Sequence, residues 1–452
     1  MKRFVKLSVL IMLLVSAFSF TGVAAQRPSK EWIVISAGDT IKSLSPLATS
    51  QVQIAGGRIV RNMSQIGALV VSSTDANFAR KMSAVGLIAA PNRIVPNEKP
   101  QRLVKEASPN AAGGASNPLA IVQWNLQAVR AQEGWQAGHR GKGATVAVLD
   151  EGFYLNHPDL AANFDVAHAM SFVPGETVQW TLPNDFSHGT HVSGIIAAID
   201  NNIGTVGVAP QTKIIPVKVL SEQLGYGEDS WIINGLLYVA DLRAHHLSNV
   251  SIVNMSLGGS CLKTDPDCVS TKKLYDLVTL YLNLRGINVV VSAGNDAFNA
   301  DSDPNTIILP AMAKGAIGIS ATAPLGWAVY PAADPRRPAS YSNFGRTLVD
   351  FAAPGGDFAY PGEENCTVGT LTRPCWVFDM VMSPAEASSD GVFYYWAAGT
   401  SMAAPHVSGI LAQYASALGG TISPLQAQIA LRVYAQHLSP IAFYGSGFTR
   451  AH

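Results

Sequence analysis

Five short apolar runs constrain the fold of this 452-residue chain more than any other feature. They fall at 146–149, 214–219, 252–255, 289–291 and 317–319. Runs of this length and composition suit strands of a parallel sheet that is covered on both faces. Between them, helical periodicity is read over 187–199, 230–244 and 271–284. Strands that alternate with helices predict a doubly wound α/β domain with a mostly parallel sheet. Chemistry in such a domain collects at the carboxyl ends of the strands. Asp150 closes the first run and Asn295 follows the fourth.

The N-terminus reads differently. Met1-Lys2-Arg3-Phe4-Val5-Lys6 is basic, Leu7 to Phe20 is apolar, and Val23-Ala24-Ala25 offers a small-residue cleavage site. This pattern predicts an export signal over residues 1–25, removed after Ala25. A secreted protein is therefore expected, extracellular or periplasmic, with no membrane attachment once the signal is cut. The formal net charge of +0 argues against nucleic acid as a partner. Residues 26–95 show strands at 32–36, 57–61 and 68–72, a weak helix at 41–47, a helix at 75–83 and a closing segment at 86–92. That β-α-β-β-α-β order is ferredoxin-like. Residues 96–118 hold Pro, Gly, Ala, Asn and charge with little periodicity and read as a linker. The remainder, 119–452, is the α/β domain.

Four cysteines in an exported chain suggest two disulfides, and four allow three connectivities. The local choices are Cys261 with Cys268 and Cys366 with Cys375. Neither pair has the spacing of a zinc knuckle; free buried thiols are the remaining alternative.

Three segments carry chemistry. Gly399-Thr400-Ser401-Met402-Ala403-Ala404-Pro405-His406 puts a serine after a turn and at the start of an apolar helix. Unpaired N–H groups and the helix dipole favour negative charge there. Ser187-His188-Gly189-Thr190-His191 opens a small-residue helix, and Val146-Ala147-Val148-Leu149-Asp150 ends a strand on a carboxylate. Together these segments resemble those of the subtilases, the subtilisin-like serine proteases. The resemblance implies a serine endopeptidase that acts on polypeptides through an acyl-enzyme. Ser401 would be the nucleophile, His188 the general base and Asp150 the orienting acid. Asn295, in Ser292-Ala293-Gly294-Asn295, would help Ser401 N–H hold the oxyanion. His191 receives no proton-transfer role. A chain of this fold without activity, or an esterase, are the rival readings; the Gly-Thr-Ser-Met-Ala context is not the esterase elbow.

The same resemblance makes the N-terminal module a propeptide that assists folding and blocks the cleft of a zymogen until maturation in or near the linker. It implies that Gly225, Tyr226 and Gly227 pair with substrate as an added strand. Ser256, Leu257, Gly258 and Gly259 form the opposite wall, Ser292, Ala293 and Gly294 also bind substrate, and Phe186 lines an apolar subsite. Asp296 is expected at the rim of the primary pocket. A structural calcium ion is implied at Asp159, the Asn201 side chain and the carbonyls of Ile199, Ile203 and Thr205. A monomer is expected. One position departs from the family: Glu151 follows Asp150 where a small or hydroxylic residue is usual. Strand alternation would turn Glu151 away from the site. If it stays close, its charge should raise the pKa of His188.

Overall fold

The computed structural model describes residues 30–37, 44–97, 99–107 and 117–452; the export signal read at 1–25 lies outside them. Its centre is a seven-stranded parallel sheet. In spatial order the strands are Phe351–Pro354, Ala316–Thr322, Asn288–Ser292, Ile252–Met255, Thr145–Asp150, Lys213–Lys218 and Met170–Ser171. All five expected runs are in it. The strand Thr145–Asp150 shows why such runs carry no polar alternation. Val146 and Val148 join one buried cluster, whereas Ala147 and Leu149 join another on the opposite face. Helices His188–Ala197 and Thr400–Ala417 contribute to the first cluster, and Asp229–Ala244 and Pro266–Leu284 to the second. With both faces covered, every strand position favours an apolar side chain.

Strand order reverses around Thr145–Asp150: the chain adds Met170–Ser171 and Lys213–Lys218 on one side, then the later strands on the other. Open α/β sheets form a crevice at the carboxyl end of the strands beside such a switch point. Asp150 is the last residue of that strand.

Residues 30–91 form a separate four-stranded antiparallel sheet. It is built from Gly57–Met63, Ala68–Ser73, Lys30–Ser36 and Leu87–Pro91 in that order. The expected ferredoxin-like succession is present, with one shift. The first described helix is Pro46–Ile54; of the expected 41–47, residues 41–43 lie outside the described residues, and 44–45 are not helical. Ser45 caps it by accepting from Ala48 N at 3.2 Å, and Pro46 occupies its first turn. These are start signals, so the helix begins near where the sequence reading ended it. One face of this sheet packs Trp32, Val34, Leu69 and Val71 under the two local helices. The other presents Ile33, Ile35, Ala68 and Val70 to the cluster shared with Asp229–Ala244 and Pro266–Leu284.

The segment expected to be a linker holds a strand, Arg102–Ala107. It pairs antiparallel with Gly391–Ala398, the second arm of a hairpin with Val381–Ser388. Its partner lies almost 300 positions away in sequence, so local periodicity carried no sign of it. Both local cysteine pairs are at bonding distance: Cys261–Cys268 with Cα atoms 5.7 Å apart, and Cys366–Cys375 with 4.8 Å.

Candidate active site

Asp150 and His188 meet at the switch point. His188 Nδ1 lies 2.9 Å from Asp150 Oδ1 and 3.0 Å from Oδ2, and both side chains are buried. A carboxylate oxygen accepts, so Nδ1 is the donor to Asp150. The opposite ring nitrogen is then the basic one. Ser187 starts the histidine helix by accepting from Thr190 N at 3.2 Å, which fixes where the imidazole leaves the backbone.

Glu151 does not turn away. The strand ends at Asp150 and the chain bends, with Gly152 at φ +143°, so strand alternation no longer applies. Glu151 Oε1 accepts from His188 N at 3.2 Å, satisfying one of the orphan donors of the helix start. Its Oε2 accepts from Asn97 Nδ2 at 2.8 Å. Burial pushes its carboxyl up to about 7; the neighbouring His188 opposes that shift and Asp150 adds to it.

Ser401 is the second residue of the helix Thr400–Ala417. Pro405, four residues on, has no N–H to give its carbonyl. Ser256 Oγ supplies the missing donor at 2.8 Å, which locks the serine turn to the strand end at Met255. Ser401 Oγ in turn donates to Ser256 O at 3.4 Å. Among the described residues no hydrogen bond joins Ser401 to His188. Asn295 Oδ1 accepts from Thr400 N at 2.8 Å and Thr400 Oγ1 at 2.9 Å. A backbone N–H is only a donor, so the amide oxygen must face it, and the amide NH₂ faces away from Thr400. Gly294, at φ +96°, makes the turn that delivers Asn295 from strand Asn288–Ser292, and Ala293 beside it is buried.

The segments expected as substrate walls lie in or beside short strands. Tyr226 and Gly227 lie in a short strand after Gly225, whereas Ser256, Leu257 and Gly258 follow strand Ile252–Met255. Gly259 instead begins strand Gly259–Leu262 and pairs with Leu309 in a second small sheet. Asp296 is exposed and its N–H is tied to Asn343 Oδ1 at 2.9 Å. Phe186 packs its ring 6.3 Å from His188 and 5.3 Å from Tyr395.

The chain itself crosses this cleft. Strand Ile94–Pro96 pairs antiparallel with Tyr226–Glu228, and Asn97 N donates to Gly225 O at 3.0 Å. Beyond the crossing, Gln101 N donates to Ala398 O at 2.8 Å, three residues before Ser401. Lys99 and Pro100, between these anchors, line a cavity of about 150 Å³ with Glu151, Asp185, Phe186 and His188. The module is also held at Asn92, whose Oδ1 accepts from Ser230 N at 2.8 Å, and at Arg93, 3.0 Å from buried Asp229.

Other histidines are spent on structure. His191 is buried with Nε2 2.9 Å from Tyr395 O, and burial lowers its pKa to about 3. His406 lies between Met402 O and Asn125 Nδ2 and is lowered to about 4 by burial. Among the described residues no cluster of three His, Cys, Asp or Glu side chains could hold a metal.

The expected calcium loop offers another kind of donor set. Asp159 is fully buried; its Oδ2 accepts from Thr205 N at 3.0 Å and Thr205 Oγ1 at 3.2 Å. Its Oδ1 lacks a hydrogen-bond partner among the described residues, and burial pushes the group up to about 8. Nearby, the carbonyls of Ile199 and Thr205 converge on one point, the Asn117 amide nitrogen. Asn201 Oδ1 accepts from Ile203 N at 3.1 Å. An unmatched carboxylate oxygen beside converging carbonyls fits a hard cation, with Asn117 turning its oxygen inward. Asn117, placed in the linker by sequence, went unnoticed because its partners lie more than 80 residues downstream. Equally unheralded is Lys218, fully buried between Glu176 at 2.8 Å and Glu222 at 2.9 Å.

Comparison with known proteins gives the family and the fold. The subtilase family profile matches residues 141–447. Subtilisin of Bacillus pumilus is 32% identical over 332 residues, 74% of this chain and 96% of its own. Thermitase of Thermoactinomyces vulgaris is 31% identical over 308 residues, 68% and 86% of the two chains. Among solved structures, the epidermin leader peptide processing serine protease of Staphylococcus aureus superposes with a TM-score of 0.69. That match has 19% identity and covers 93% of this chain and 97% of the other. Fervidolysin from Fervidobacterium pennivorans, a keratinolytic enzyme related to subtilisin, gives 0.65 at 22% identity, over 94% of this chain and 61% of its own. At these identities the structures speak to the fold. The chain belongs to the subtilase family. It is a serine endopeptidase of subtilisin-like fold.

Proposed function

We propose that this protein is a secreted endopeptidase, made as a precursor whose N-terminal module plugs the cleft, and that Asp150, His188 and Ser401 form its catalytic triad. His188 Nε2 takes the Ser401 proton as Oγ attacks the substrate carbonyl. To do so Oγ must leave the Ser256 carbonyl and turn toward the imidazole. Asp150 holds the tautomer and stabilises the imidazolium. The Asn295 NH₂ and the Ser401 N–H receive the oxyanion. His188 then returns the proton to the leaving amine, and water repeats the cycle on the acyl-enzyme. Substrate backbone docks on Tyr226–Glu228 as Ile94–Pro96 does.

Calcium, when bound, would be held by Asp159, Asn201, Asn117 and the carbonyls of Ile199, Ile203 and Thr205, where it neutralises the Asp159 charge and ties the loop to the histidine helix. The mature enzyme works as a monomer on polypeptides, without nucleic acid or membrane. Its own residues 26–95 act as folding aid and inhibitor, and maturation cuts within 96–118.

The observation that carries this reading is the imidazole of His188 held through Nδ1 by both oxygens of a buried aspartate. A fluorophosphonate probe tests it. Labelling of the processed protein, with casein hydrolysis, is expected, and both vanish in Ser401→Ala. Labelling that survives in Ser401→Ala would sink the assignment.

A further inference from the structure

Strand Arg102–Ala107 is seated on the edge of Gly391–Ala398 with more than backbone bonds. Lys105 Nζ lies 2.6 Å from Glu386 Oε2, and Glu386 is fully buried. Tyr395 OH donates to the same oxygen at 2.9 Å, and Ser388 Oγ donates to Oε1 at 2.8 Å. The ammonium also stands 3.7 Å from the centre of the Phe393 ring. Carboxylate, phenol and aromatic face thus make a box for one cation. On the next residue, facing the other way, Glu106 meets Arg373 at 2.8 Å. Arg373 is carried by the hairpin that Cys366–Cys375 closes.

We infer that this edge is an extended subsite for the part of a substrate beyond the scissile bond, and that Glu386 selects a basic side chain there. The inference rests on the proposed endopeptidase reading. Asn97 N donates to Gly225 O and Gln101 N to Ala398 O, which puts the crossing between Asn97 and Gln101. Lys105 then lies between the fifth and the eighth residue after the bond, four beyond Gln101, which meets Ala398. Among the described residues Lys105 is the sole ion-pair partner of Glu386. Where maturation cuts beyond Ala107, the strand leaves with the N-terminal module and the carboxylate is left beside an open sheet edge without its cation. A buried charge stripped of its partner is costly, and an open edge takes another strand readily. The chain that best replaces the departing one is extended and carries a cation in the same register. Asp185, in the cavity between His188 and this edge, adds negative charge along the path.

Three internally quenched peptides test this, identical but for Lys, Gln or Glu at all of the fifth to eighth residues after the cut bond, with the bond located by mass spectrometry. For the processed enzyme, kcat/KM should be about tenfold higher for Lys than for Gln, and lowest for Glu. In Glu386→Gln the Lys-to-Gln ratio should fall to about one. A ratio within one preparation does not depend on how much of it is folded. Should the variant fail to fold, the wild-type ratios alone decide. Equal rates for the three peptides, with Ser401-dependent fluorophosphonate labelling intact, overturn the subsite and leave the endopeptidase standing. Absence of that labelling overturns the reading beneath it.

Discussion

Asp150 and Asp159 are equally buried and nine positions apart in sequence, yet they are solvated by the protein in opposite ways. Asp150 has donors for both oxygens, from His188 Nδ1 and from Glu151 N at 2.8 Å. Asp159 has Thr205 donors for Oδ2, and among the described residues no donor meets the hydrogen-bond geometry at Oδ1. Burial alone therefore says little about a carboxylate's role. The count of donors separates a fixed negative charge, poised to hold an imidazolium, from a charge that waits for a cation or takes a proton.

Substitution by asparagine should split the pair most widely. Asp150→Asn keeps the shape but no longer holds the tautomer, and kcat should fall by about 10⁴-fold, the figure known for another serine protease triad. Asp159→Asn should lower kcat by less than about tenfold and act instead on the melting temperature. Equal losses of kcat in the two variants would erase the distinction. Losing the Asn295 donor, as in Asn295→Ala, belongs with the Asp150 side of the comparison. It should cost about 10²–10³ in kcat, a magnitude known from subtilisin, read against an unchanged melting temperature.

Calcium sharpens the other side. If Asp159 needs a cation, calcium at a hundred times its Kd stabilises the fold by about 2.7 kcal/mol. A chelator should then lower Tm by several degrees, and Asp159→Asn should abolish the difference between chelator and calcium. An unchanged Tm in the wild type would leave Asp159 protonated rather than metal-bound.

Between these two aspartates, the sequence was legible where structure is local. The five apolar runs, the serine and histidine helix starts and the neighbouring cysteine pairs are each specified within a dozen residues. What escaped depends on distant partners. Arg102–Ala107 is a strand because Gly391–Ala398 offers an edge. Asn117 belongs to the Asp159 loop because that loop folds against it. Glu151 reversed expectation because the strand ended one residue sooner than the alternation argument required.

Glu151 itself gives a stability prediction of intermediate size. Its folded pKa, about 7, lies above its ordinary 4.5. A raised carboxyl costs nothing below the unfolded value, and the cost of ionising it grows between about pH 4.5 and 7 and is complete above that. Glu151→Gln, which cannot ionise, should therefore stabilise the unprocessed Ser401→Ala precursor at pH 8 by on the order of 3 kcal/mol. It should do nothing at pH 4. A gain of equal size at both values, in urea titrations, would mean the effect is not ionisation.

The smallest effect concerns how Glu151 reaches His188. Its carboxylate bonds to the His188 N–H and lies among Asp150 and the imidazole, so in its charged form it adds to the stabilisation of imidazolium. Once the plug has left, the Asn97 contact is gone and water reaches the group more freely. Desolvation then weakens, and more of Glu151 is ionised in the pH range where the imidazole titrates. The acid limb of the kcat/KM profile should therefore lie at higher pH in the wild type than in Glu151→Thr, by roughly half a unit. Because the shift is electrostatic and partly exposed, salt should shrink it. Coincident limbs in the two enzymes would show that Glu151 serves the helix start alone, and would return the tuning of His188 entirely to Asp150.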